Sequence, residues 1–352
     1  MNYTTEINSE GKLSAIRCPE GEISVLPAPN PASDPASNHR QRRRVELHPN
    51  DPHLYIPRRA IDTTYPDELL LAVLDTSNFA WLCDVIARDD DSTAIQKALF
   101  QSVFGFVSRE KFAGKRLLDL GCGSGSSSAV LARALPGTEI VGVELNARLL
   151  KLAALKISYQ GLKNVRFEAS PCGTRLPENI GTFDYIVFSA VFEHLLPKER
   201  VELMPHVWAA LRPGGVLFIN QTPHRYFPVD THSSGLPLVN YLPDSLAHWA
   251  VRRFSRRGAI NQSLNWEEHL RGGLRGATER EILRTLRADD HSRPEILQPC
   301  APETKDRIDL WFTGLSPKHR PVKQALRLIL KVVYRLTGSV VTPNLAVAIQ
   351  KS

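Results

Sequence analysis

The 352-residue chain carries 44 basic against 37 acidic residues, a formal charge of +7, and 42% of its residues are hydrophobic. That suits one α/β domain with insertions, and no apolar run approaches the roughly 20 residues of a membrane span. Cys18, Cys83, Cys122, Cys172 and Cys300 show no C-x-x-C spacing, which argues against a zinc knuckle or disulfide scaffold, and "MNYTTEINSEGK" is no signal peptide, so a reducing cytoplasm is the expected setting.

Taken along the chain, residues 1–50 are rich in Pro, Ser, Asn and Glu and end in "NHRQRRRVE". This composition predicts a disordered basic tail, with Arg40, Arg42, Arg43 and Arg44 solvated. Residues 51–112 predict a helical lid: "PDELLLAVL", "SNFAWLCDVIARD" and "STAIQKALFQSVFGFV" repeat apolar residues at three- and four-residue spacing. From 113 to 221 short apolar strands alternate with amphipathic helices: "RLLDLG", "EIVGVEL", "NVRFEA", "FDYIVFSA" and "GVLFINQ". The alternation predicts parallel pairing through right-handed crossovers. Residues 222–342 read as a substrate-binding insertion with helices, and 343–352, "PNLAVAIQK" within it, as a closing strand.

The stretch "LLDLGCGSGSSSAVLA", residues 117–132, sets a glycine loop between a strand and a helix. Gly121, Gly123 and Gly125 let the backbone turn tightly and approach a ligand with no Cβ in the way. No Gly-Lys-Ser/Thr follows, which excludes a nucleoside-triphosphate loop, and G-x-G-x-G replaces the dinucleotide G-x-G-x-x-G. Asp119 would repel a phosphate and attract an ammonium. Glu144 ends the second strand, where a carboxylate accepts hydrogen bonds from ribose hydroxyls. The implied ligand has an amine, a ribose and no required phosphate.

With "LLDLGCGSG", "GVELN", "FDYIVFSAVFEHL" and "LRPGGVLFIN" in order, Lys115 to Gln221 resembles the class I S-adenosylmethionine-dependent methyltransferases. The resemblance implies a Rossmann-like, mostly parallel seven-stranded sheet with helices on both faces. It implies S-adenosyl-L-methionine as cofactor, its methionine part held by Asp119 and the Gly121–Gly125 loop and its ribose by Glu144. Ser189 would line the methionine side. The acid that the family often carries after the third strand is replaced by "EASPCGTRLP", so Ser170 or Cys172, or their backbone, is expected at the adenine.

A hydroxyl acceptor needs a base near neutral pKa, which favours histidine. His194 in "FEHL" is one candidate. The loop "TPHRYFPVDTHSSGLPL" offers the others, His224, Asp230 and His232, on a segment stiffened by prolines. No metal is expected, because ligation by His224, Asp230 and His232 would crowd three ligands into one short loop. The N-P-P-Y type of signature is absent after the fourth strand, which makes nucleic acid an unlikely partner.

Lys323, Arg327, Lys331 and Arg335 recur every fourth residue in 321–338. The favoured arrangement is a helix packed on the domain with its lysines solvated. The other is peripheral contact with an anionic membrane, and the acceptor would then be lipid-linked. The sequence thus points to methyl transfer, by preference to oxygen, on a small-molecule or glycan acceptor. RNA methylation, a non-catalytic cofactor-binding module and aminopropyl transfer are the alternatives, and nothing sets the oligomeric state.

Overall fold

The computed structural model describes residues 2–28, 42–255, 263–286, 292–315 and 318–352. Arg40 of the predicted basic tail lies outside them. In chain order the elements begin with β1 (Thr4–Ile7), β2 (Leu13–Cys18), β3 (Gly21–Pro27), β4 (Arg43–Pro49) and β5 (Ala60–Thr63). Helices α1 (Asp67–Thr76), α2 (Leu82–Asp90) and α3 (Thr93–Leu99) follow. Next come β6 (Arg116–Leu120), α4 (Ser126–Ala134), β7 (Glu139–Glu144), α5 (Ala147–Gln160), β8 (Val165–Ala169), β9 (Phe183–Ser189), α6 (Pro197–Ala210) and β10 (Leu211–Pro223). The remainder holds α7 (Asp244–Phe254), α8 (Trp266–Arg271), α9 (Glu279–Thr285), β11 (Pro294–Ile296), α10 (Arg307–Thr313), α11 (Arg320–Thr337) and β12 (Asn344–Lys351).

The chain forms two compact units. The first comprises Met1–Ala94, Ser124–Ser126 and Asn146–Gly161. Its five-stranded sheet, β1 to β5 in sequence order, is antiparallel throughout. The predicted disordered tail is therefore wrong for most of its length. In β3 buried Gly21, Ile23 and Val25 alternate with half-buried Glu22 and Ser24. A one-face strand is half polar by construction, so its composition resembles that of an unfolded segment although its period-2 pattern does not. Arg43 and Arg44 are strand residues in ion pairs: Arg43 with Asp67, Arg44 with Glu46 and Asp62.

The predicted lid is also redistributed. Helices α1 and α2 cover the buried face of this sheet, with Leu69, Val73, Phe79, Leu82 and Ile86 in one cluster with Ile16, Ile23 and Val45. Leu152 of α5 joins the same cluster. From Ile95 onward the third predicted helix belongs to the second unit. Helix α5 begins where the Asn146 side chain accepts from the Arg148 N–H at 2.9 Å and ends at Gly161 in the left-handed region, φ +68°.

The second unit is built on a seven-stranded sheet of order β11-β12-β10-β9-β6-β7-β8. Strands β10, β9, β6, β7 and β8 are parallel to one another, while β12 runs antiparallel between β10 and β11. Alternate residues of one strand enter opposite cores. Leu118, Val141, Ile186 and Leu217 pack with α6 residues Met204 and Trp208; Leu117, Ile140, Val187 and Phe218 pack with Val130 and Leu131 of α4. Burial on both faces explains why these strands read as continuous apolar runs.

Helix α11 packs against the domain through Leu326, Leu330 and Tyr334, but its basic stripe is not solvated as expected. Arg327 and Lys331 of the basic stripe turn inward to buried Asp309, at 2.6 and 2.7 Å. The apolar residues Val322, Ile329, Val332 and Leu336 are instead 53–81% exposed. Ion pairing at buried Asp309 and burial of Leu330 against Ile308 and Val340 fall on the same side of the helix, and together they fix its rotation.

Ile23 is fully buried in the five-stranded sheet. Ile23→Ala is expected to destabilise the first unit by about 2–5 kcal/mol in urea titration. A variant with an unchanged midpoint would mean that the amino-terminal strands contribute nothing to the folded unit.

Candidate active site

Chain order β6, β7, β8 runs outward on one side of β6, and β9 then returns to pair on its other side. That reversal is the switch point at which open parallel sheets bind ligands, beyond the carboxyl ends of their strands. The carboxyl ends of β6, β7, β8, β9 and β10 lie at that edge, and these ends with the loops that follow them carry the predicted site residues of this unit.

Gly121 and Gly123 both have positive φ, +71° and +56°. At Gly121 a Cβ would fall 2.6 Å from a methyl of Val191, so only glycine permits this close approach. At Gly123 no protein atom lies within 4 Å of where a Cβ would be. The first glycine thus closes the loop against the protein, and the second leaves its backbone open to a ligand. Gly125 is left-handed as well, φ +78°.

Asp119 is 1% exposed, and its Oδ2 accepts from the Ser127 and Ser128 hydroxyls at 2.7 and 2.6 Å. Burial pushes its pKa up to about 6, with the two serine hydroxyls opposing and the Glu144 charge adding to the rise. Glu144 Oε2 accepts from the Gly123 N–H at 3.0 Å, and Oε1 from the Leu145 N–H at 2.9 Å. Ser189 donates to Asn220 Oδ1 at 2.9 Å. The Ser170 hydroxyl is turned back to the Cys172 and Arg175 carbonyls, while the Ser170 N–H bonds the Glu144 carbonyl.

A protein-family model described as "Methyltransferase domain" matches residues 118–217. This stretch is a class I S-adenosylmethionine-dependent methyltransferase domain. The chain is 35% identical over 104 residues to a trans-aconitate 2-methyltransferase of Deinococcus radiodurans, covering 30% of this chain and 36% of that protein. It is 30% identical over 118 residues to a ubiquinone biosynthesis O-methyltransferase of Psychrobacter arcticus, covering 32% and 44%. The chain thus spans less than half of either relative. A solved S-adenosylmethionine-dependent methyltransferase of Methanosarcina mazei matches at 27% identity over 32% of this chain and 54% of that one, with a TM-score of 0.29. S-adenosylmethionine is the cofactor of this domain family, and the open backbone at Gly123 beside two carboxylates fits such a cationic ligand.

The acceptor-side candidates divide sharply. His194 and His232 lie together, ring centroids 5.6 Å apart, beside fully buried Glu193. His224 is elsewhere in character: 4% exposed, with Nδ1 accepting from the Tyr226 N–H at 3.1 Å. Burial, reinforced by the Arg307 charge, lowers its pKa to about 4, so it is neutral and holds its loop. Asp230 accepts from the Ser233 and Ser234 hydroxyls and from the backbone N–H groups of His232, Ser233 and Ser234, which fixes the turn carrying His232.

Two groups escaped the sequence reading. Glu193 is not among the predicted site residues, yet its carboxylate is fully buried beside both histidines. In the first unit, buried Lys156 pairs with Asp89 at 2.7 Å and donates to Ser124 Oγ at 3.1 Å, while Ser126 donates to Asp89 at 3.0 Å. Lys156 was hidden by its place in an ordinary amphipathic helix. Ser124 between Gly123 and Gly125, and Ser126 just after them, are the loop's side-chain partners.

Asp119 gives a pH test. A carboxyl raised from 3.8 to about 6 binds its proton more tightly folded than unfolded, so its contribution falls as pH rises between those values. Above that window the cost levels at roughly 3 kcal/mol. Without cofactor, Asp119→Asn is expected to exceed the wild type in unfolding free energy at pH 7.5, the gap closing toward pH 4. A gap that stays constant with pH would show that Asp119 ionises normally.

Proposed function

We propose that the chain transfers a methyl group from S-adenosylmethionine to a hydroxyl of a small-molecule or glycan acceptor. The observation that carries this reading is the His194–His232 pair, which leaves the same sheet edge as the Gly121–Gly123 turn. The bound cofactor supplies an electrophilic methyl on a sulfonium whose departure needs no acid. The chain's work is therefore alignment, exclusion of water and removal of one proton.

Asp119 faces the cofactor's ammonium, and the Gly123 N–H and Glu144 meet its polar edge. Glu144, which accepts from the Gly123 N–H in this structure, would hold the ribose hydroxyls of the cofactor. Ser189, on the Asn220 amide, lines the methionine side, and the backbone around Ser170 meets the adenine. His194 donates from Nδ1 to the Arg271 carbonyl at 2.6 Å, which leaves Nε2 as a base. His232 stands opposite on the turn fixed by Asp230. His224 shapes the loop from beneath.

His194→Ala or His232→Ala is expected to leave cofactor affinity within about threefold in calorimetry, yet to lower turnover by about 10²-fold or more. His224→Ala is expected to reduce thermal stability along with activity. Full turnover in both His194→Ala and His232→Ala would point to an acceptor that needs no base, such as a carboxylate.

A second reading concerns where the acceptor sits. The exposed stripe Val322, Ile329, Val332 and Leu336 on α11, together with exposed Trp249 and Phe254 on α7 beside Arg252 and Arg253, supports peripheral attachment to an anionic bilayer and a lipid-linked acceptor. Among the described residues no helix is long and apolar enough to cross a membrane. The protein is expected to float with vesicles containing anionic phospholipid, less so at high salt, and Val332→Glu with Leu336→Glu to abolish this. Equal recovery of wild type and double variant would place the acceptor in solution.

A further inference from the structure

Glu193, His194 and His232 come from two loops that leave neighbouring strands β9 and β10. One ligand-capable atom from each lies within 4.8 Å of the other two. Glu193 Oε2 accepts from the Thr222 hydroxyl at 2.8 Å, whereas Oε1 is buried with no hydrogen-bond partner. A fully buried carboxylate oxygen without a donor is costly unless a cation meets it. His194 Nε2 lies 3.9 Å from that oxygen, and its Nδ1 is committed to the Arg271 carbonyl. That second bond fixes the tautomer in which Nε2 presents a lone pair, as for metal-ligating histidines. Gly273 completes the enclosure: a Cβ there would fall 2.5 Å from His232 Cδ2 and 3.4 Å from Glu193 Cγ.

We propose that Glu193 Oε1, His194 Nε2 and a ring nitrogen of His232 bind a divalent metal ion of the zinc class. Two neutral imidazoles and one carboxylate suit a borderline ion such as Zn²⁺, while Mg²⁺ and Ca²⁺ prefer all-oxygen sites. Donors around a tetrahedral Zn²⁺ with bonds of about 2.0–2.1 Å sit roughly 3.4 Å apart, so side-chain rotation closes the site. Thr222 and the Arg271 carbonyl are the outer partners that aim the ligands. Three protein ligands leave a fourth position for water or, on the methyl-transfer reading above, for the acceptor hydroxyl; with the ion bound, His194 Nε2 is a ligand and no longer the base, and the ion would instead ease loss of the hydroxyl proton to solvent water.

The test uses the full chain stripped with chelator and dialysed against Zn²⁺, with metal measured by elemental analysis and Co²⁺ substitution followed in the visible spectrum. About one Zn²⁺ per chain is expected, together with a four-coordinate Co²⁺ spectrum and a raised unfolding midpoint. Glu193→Gln and His232→Asn are expected to lose both signals, and Thr222→Val to bind 10–100-fold more weakly. Circular dichroism of each variant separates lost ligation from lost fold. Less than 0.1 Zn²⁺ per wild-type chain, or equal stoichiometry in folded wild type and folded His194→Asn/His232→Asn, overturns the site. S-adenosylmethionine binding measured in parallel keeps the two readings apart. Cofactor binding and turnover by a zinc-free protein would remove the metal and leave the transferase, whereas one bound Zn²⁺ without methyl transfer would do the reverse.

Discussion

The parallel hydrogen-bonded pairing of β6 with β7 on one side and β9 on the other is the constraint from which the site follows. Parallel strands end at the same edge, so the residues after Leu120, Val143, Ser189 and Asn220 converge there although up to a hundred positions separate them in the chain. The pairing is held by apolar side chains on both faces of the sheet. The sheet does not depend on most of the loop side chains, so the loops can carry charge, glycine and histidine.

Charges placed in that setting are partly desolvated, and each acquires its behaviour from its partners. Asp119 is held by two serine hydroxyls, too little to offset burial, so its pKa rises. Asp309 is buried as well, but Lys331 and Arg327 hold it below the usual carboxylate range. Glu193 has one hydroxyl and an oxygen without a partner. The first two describe a buried acid held only by neutral donors and a structural ion pair. The third has the features expected of a ligand to a cation.

The pairing at Asp309 also decides a surface. By drawing Arg327 and Lys331 inward, it turns the apolar stripe of α11 toward solvent. An amphipathic helix has two faces and can bury either. The side that meets Asp309 also buries Leu330 with Leu326 and Tyr334 packed beside it, while Val322, Ile329, Val332 and Leu336 stay wet; leaving a desolvated carboxylate unpaired would cost more than leaving those side chains exposed.

The sequence by itself determined the α/β core, its parallel strands, the glycine loop and the carboxylates at Asp119 and Glu144. Each is local: strand and helix periods, and residues at fixed distances along one strand–loop–helix unit. It did not determine that the amino-terminal segment folds, because a sheet buried on one face is half polar and its strands pair only after a core exists. Nor did it distinguish His224 from His232, eight residues apart in one loop, of which only the first is buried. The meeting of Glu193 and His194 with His232, and the rotation of α11, depend on which strands are neighbours and which charges are buried. Those are properties of the packed chain, and no spacing along it encodes them.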